Sequence, residues 1–177
     1  MAPNRRVLHS GGPFRGDLLM DFSKLTTNNW IAGGGGLVSL INIFFPWYGV
    51  DFGGGFGSVN ANAFDAGILA CVGALLAVSA GALVVLKQLD VFEAKVGGLG
   101  TEQFAMVLGG VGTLFILLKL VVDNEFAKFG LFLGLLAAIA ATAGAFLSGK
   151  DLGIGLPSAD DFKGSGGGGS SSGPSTF

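Results

Sequence analysis

Trp30-Ile-Ala-Gly-Gly-Gly-Gly-Leu-Val-Ser-Leu-Ile-Asn-Ile-Phe-Phe-Pro-Trp-Tyr48 contains no charged side chain, and its reading decides the fold. It passes into Gly49-Val-Asp-Phe-Gly-Gly-Gly-Phe-Gly-Ser-Val-Asn-Ala-Asn-Ala-Phe-Asp65, a loop without Lys or Arg, and a second apolar run follows at once. The pair reads as a membrane span, a loop on the far side and a return span. Trp30 at one end and Trp47 and Tyr48 at the other are the expected interface anchors, because amphipathic rings favour the headgroup zone. Pro46 suits a helix end, where the missing N–H does no harm.

Working outward, three more apolar runs are legible, at about 66–86, 104–122 and 129–147. Each is close to the roughly 20 residues that cross a hydrocarbon core at about 1.5 Å per residue. The four runs contain no Asp, Glu or Arg, and their single charge, Lys119, lies near enough to an end to snorkel. The whole chain of 177 residues is 50% hydrophobic and only 12% charged. Soluble domains carry about a quarter charged residues, so too few ionic groups remain to cover a surface in water. A net charge of −2 argues against nucleic acid as a partner, since phosphate binding needs a basic face.

The expected fold is all-α, an up-down four-helix transmembrane bundle with residues 30–149 in the membrane domain. Residues 1–29 form an N-terminal tail and 150–177 a flexible Gly/Ser-rich one. Asp17–Leu25 reads either as a short interfacial helix or as part of a loosely ordered tail. Thr26, Thr27, Asn28 and Asn29 are suited to cap a helix starting near Trp30. Eight basic residues fall on one side (Arg5, Arg6, Arg15, Lys24, Lys87, Lys95, Lys150, Lys163) and two on the other (Lys119, Lys128). The positive-inside rule then places both termini in the cytoplasm and the 49–65 loop outside.

Helices in lipid associate by close backbone approach, so small residues mark their contact faces. Gly33, Gly34, Gly35 and Gly36 form one such face; Gly73, Ala77 and Gly81 a second; Gly109, Gly110 and Gly112 a third. Gly130 and Gly134, continued by Ala138 and Thr142, form a fourth. These faces serve either packing within the chain or an interface with another copy or a larger membrane complex. The 33 glycines weigh toward at least some contact outside the chain. Ser39 and Asn42 share a helical face. They serve either an interhelical hydrogen bond or, with Thr113, a polar path; the bond is the favoured reading.

No catalytic residues, cofactor or metal site are expected. Cys71 lies within an apolar run and His9 in the tail, and neither has a partner in a recognisable motif. Asp51 and Asp65 are the only acids of the outer loop, and with Glu125 they are the only groups an enzyme could use there. They read as solvated loop charges, Asp65 favouring the positive end of the second helix with Asn62 as a cap. Gly53–Gly57 lacks the Gly-Lys-Ser/Thr of a phosphate-binding loop. Phe177 ends the tail and reads as inert rather than as a docking motif.

Phe44-Phe-Pro-Trp-Tyr48 followed by Asn62-Ala-Phe-Asp-Ala-Gly67 resembles a group of uncharacterised bacterial four-span proteins of high-GC Gram-positive lineages. In that group a Phe/Leu-Pro-Trp motif ends the first span, and an aromatic and an acid precede the next. The resemblance covers residues 30–150 and implies a four-helix inner-membrane protein, with no functional residues to carry over. The Gly-rich tail departs from that pattern. The expected role is non-enzymatic, a scaffold or accessory subunit in the lipid bilayer that packs as a homo-oligomer or within a larger membrane complex. The alternative is a small oligomeric channel or transporter with its path at Ser39, Asn42 and Thr113.

Overall fold

A computed structural model describes residues 22–54, 57–93 and 99–156. Most of the N-terminal tail, Lys95, Phe56 and the Gly/Ser tail with Phe177 lie outside these residues. The chain forms α1 (Thr27–Asn42), a hairpin of β1 (Tyr48–Asp51) and β2 (Ser58–Ala61), then α2 (Ile68–Gln88), α3 (Thr101–Val122) and α4 (Phe129–Asp151). Residues Phe22–Lys24 make a single 3-10 turn ahead of α1.

Three helices, α2, α3 and α4, with 21, 22 and 23 residues, are long and apolar enough to cross a membrane. Their boundaries differ from the expected runs chiefly at one end. Helix α3 starts at Thr101 rather than Phe104, and α4 continues to Asp151 rather than Leu147. These extra turns hold polar groups that hydropathy excludes, and Glu102, Ser148 and Asp151 find partners. Glu102 is buried and ion-paired with Lys87 of α2. Ser148 donates to Asn29 Oδ1 at 2.6 Å, and Asn28 Nδ2 donates to Asp151 at 2.7 Å. Outside the helices, Lys24 pairs with Asp90 at 2.7 Å at the same end.

The first run is corrected more substantially. Helix α1 has 16 residues, about 24 Å at about 1.5 Å per residue, and stops at Asn42 instead of Tyr48. Thr26 is its N-cap, accepting from Asn29 N at 3.4 Å, as the Thr/Asn cluster led one to expect. At its other end Phe44 and Phe45 leave the helix in a tight turn, Phe44 N bonding to Ile41 O and Phe45 N to Asn42 O. Pro46, which lacks an N–H, follows there.

Around the bundle the helices run α1, α2, α3, α4 and back to α1, and α2 also meets α4 across the middle. The interior is built of small residues. Ala70, Ala74, Ala77 and Ala138 surround Ile43, Trp47, Ile116 and Leu131 in one cluster, and Ala32, Ala105 and Ala145 surround Val84 and Met106 in another. The large side chains point out: Leu37, Leu40 and Ile41 of α1, Leu114, Leu117 and Leu118 of α3, and Phe132, Leu136 and Ile139 of α4 are all exposed. This is the reverse of a fold in water, where such residues supply the core.

Glycines set the spacing. A Cβ on Gly35 would stand 2.5 Å from the Ala141 backbone nitrogen, and one on Gly144 2.3 Å from Ala32 N. Gly36 and Gly81 face each other across α1 and α2, and Gly73 and Gly112 across α2 and α3, each with a would-be Cβ within 3.0 Å of the other's backbone. Gly109 leaves room for Thr142, and Gly33 for the side chain of Val85. Gly34 and Gly110 differ, since nothing lies within 4 Å of a Cβ at either. The four-glycine run is therefore not one continuous face: a helix turns about 100° per residue, and Gly34 points away from the neighbours that Gly33, Gly35 and Gly36 meet.

Candidate functional site: the cap at the α1 exit

Ile43–Asp65 folds over one end of the bundle. Alternation in Tyr48-Gly-Val-Asp and Ser58-Val-Asn-Ala, separated by glycines, is a strand–turn–strand pattern. The two strands pair antiparallel with Tyr48 opposite Ala61 and Asp51 opposite Ser58. Gly53, Gly54 and Gly57 take positive φ between the strands, a conformation in which glycine meets no Cβ clash. Strand β1 is held on its other side as well: Gly49 N donates to Phe126 O at 3.0 Å, and Lys128 N to Trp47 O at 2.8 Å. The α3–α4 turn thus joins the hairpin.

Trp47 is the rivet. It is fully buried, and its indole Nε1 donates to Asn42 O at 2.9 Å. The expected headgroup anchor is therefore an internal packing residue. Its polar edge is satisfied by the last α1 carbonyl, which also accepts from Phe45 N, and its ring fills space between helices. Gly134 makes the room: a Cβ there would lie 2.9 Å from Trp47 Cζ2 and 2.7 Å from Asn42 Nδ2. Gly130 approaches Pro46 O, and its N–H donates to that carbonyl at 3.1 Å. The Gly130/Gly134 pair of α4 therefore receives the end of α1 and the indole. Tyr48 is half-buried, whereas Trp30 stays exposed on the first turn of α1.

The other polar residues singled out in the sequence are placed separately. Asn42 is fully buried and donates from Nδ2 to Gly130 O at 2.8 Å, an α1–α4 bond, with Oδ1 left unpartnered. Ser39, one turn deeper, is buried with its hydroxyl unpartnered. Thr113 sits on α3, diagonal to α1, 3.0 Å from Thr142 Oγ1 of α4. Thr142 Oγ1 is also 2.8 Å from Ala138 O, to which it donates, so Thr113 is the donor of the pair. The structure does not bring Thr113 together with Ser39 and Asn42.

Asn62 caps a local turn rather than α2, its Oδ1 accepting from Phe64 N at 2.9 Å and Asp65 N at 3.2 Å. Helix α2 begins later, at Ile68, with Gly67 as N-cap at φ 110°. Asp51 lies near Lys128 at 3.3 Å, and that ammonium also reaches Asn60 Oδ1 at 2.9 Å, tying the hairpin to the start of α4.

Between hairpin, α2 start and α3 end lies a half-open pocket of about 780 Å³. Tyr48, Phe52, Val59, Val122 and Phe126 supply apolar wall, and Asp65, Lys119, Asp123 and Glu125 supply charge. Lys119 pairs with Asp123, and its Nζ stands 5.2 Å from the centre of the Tyr48 ring. The Tyr48 hydroxyl donates to Lys119 O at 3.4 Å. Burial, and secondarily the Asp123 carboxylate, pushes the Tyr48 phenol up to about 12. Sequence reading missed this pocket because its parts come from four segments. The strand pattern around Val50 and Val59 was the one signal for the hairpin.

In comparisons with known proteins, no family model, curated protein or solved structure matches this chain.

Proposed function

We propose that this is a non-enzymatic four-span protein of the bacterial cytoplasmic membrane with both termini inside. It acts as an accessory subunit that presents its cap to the outside. The observation that carries the membrane part is the inverted distribution of side chains, alanine and glycine within and leucine, isoleucine and phenylalanine without. Soluble monomers rarely expose contiguous apolar patches beyond a few hundred Å². Lipid removes that penalty, and close packing of small residues then holds the helices together.

The accessory role draws support from how the bundle closes on itself. Most of the small-residue faces meet partners within the chain, so contacts with a larger complex fall to the cap and to the outer flanks at Gly34 and Gly110. The separation of Thr113 from Ser39 and Asn42 supports packing over a polar path. The role is tested by purification of the full chain in mild detergent. A co-purifying membrane complex of fixed ratio is expected, and recovery as a lone chain under conditions that preserve other complexes would contradict it.

A further inference from the structure

We propose that the cap pocket binds an organic ammonium group. Three carboxylates line it, Asp65, Asp123 and Glu125, against one cation, Lys119. Lys119 is committed to Asp123, and Asp65 and Glu125 have no ion-pair partner among the described residues. The C-terminus of α3 at Val122 adds its own negative potential, since the last helix carbonyls lack intrahelical donors. The pocket therefore attracts a cation and repels anions.

The walls select the kind of cation. Among the described residues no three His, Cys, Asp or Glu side chains converge closely enough to hold a metal ion. The carboxylates are thus spread around the cavity rather than gathered as a chelate. Aromatic rings at Tyr48, Phe52 and Phe126 suit a cation carried on carbon, which gains from ring faces as well as from carboxylates. Lys119 shows the arrangement at work, an alkylammonium placed over Tyr48 and beside Asp123. A volume of about 780 Å³ in the presence of that side chain admits a second, untethered ammonium with a short apolar body. The same chemistry is offered by soluble amines and by the ethanolamine headgroup of a phospholipid.

This rests on the reading of the cap as the working end. Binding to purified protein does not depend on which side of a membrane the cap faces, so the two can fail separately. The experiment titrates tetramethylammonium chloride into the full chain in detergent micelles, with sodium chloride at equal ionic strength as the blank. Ligand-detected NMR reads the binding. Saturable binding is expected, weakened about tenfold in the Asp65→Asn/Glu125→Gln double variant and unchanged in Glu93→Gln, which removes a charge outside the pocket. Both replaced acids are exposed, and the Tyr48 titration confirms that the variant keeps its cap. Short-chain phosphatidylethanolamine added to the micelles, against phosphatidylglycerol, separates the sources. Competition by the former alone identifies a lipid headgroup, and no competition by either identifies a soluble amine. Failure of tetramethylammonium to saturate, or binding that survives the double substitution, overturns the proposal.

Discussion

Tyr48 is the sole tyrosine of the chain, so an ultraviolet absorbance titration reads it alone. Its midpoint should fall at about 12 rather than the usual value of about 10, and Asp123→Asn should lower it. Because the folded-state value lies above the unfolded one, this group's contribution to stability is complete below about pH 10 and is lost as pH rises toward 12. A midpoint near 10 in the folded protein would show that the ring is not held under the cap. Glycine positions give a second test at this scale. Gly35→Ala places a methyl group against the Ala141 backbone and should destabilise by about 1–3 kcal/mol, whereas Gly34→Ala meets open space and should leave thermal unfolding unchanged or raised. Sequence alone could not separate the two, since adjacent glycines differ only in the direction a side chain would take. It could not place Lys119 either: snorkelling toward water and pairing with Asp123 under a tyrosine ring demand the same position near a helix end.

Among the elements, α2, α3 and α4 were legible because a long uncharged run has few alternatives to a helix. Their ends opposite the hairpin were not, because Glu102 and Asp151 look like loop residues until Lys87 and Asn28 are brought beside them. The end of α1 was misread for a related reason. Ile43, Trp47 and their neighbours are as apolar as a lipid-facing segment, and hydropathy does not distinguish a side chain that faces lipid from one that plugs a cap. The distinction is measurable. With Trp30→Phe, Trp47 becomes the only indole, and its fluorescence should resist both acrylamide and nitroxide-labelled lipids. Strong quenching by the lipid label would restore the headgroup-anchor reading. Asn42→Ala, which removes the bond to Gly130 O, should lower stability by about 0.6–2 kcal/mol in detergent unfolding.

For the whole molecule, the shortest helix matters most. At about 24 Å, α1 falls short of a hydrocarbon core of about 30 Å, while the other three helices exceed it. A crossing by α1 would need the exposed Phe44 and Phe45 beyond its last turn, exposed Trp30 at the opposite end, and modest local thinning of the bilayer. If α1 crosses, the residues before it and the hairpin after it lie on opposite sides; if it lies within one leaflet, they share a side. The deciding measurement uses single cysteines at Ser23 and at Ser58 in a Cys71→Ser background, labelled in intact cells with a membrane-impermeant maleimide. Labelling of the Ser58→Cys protein from outside, with the Ser23→Cys protein labelled only after permeabilisation, is the predicted result. Labelling of both from the same side would contradict a four-span bundle.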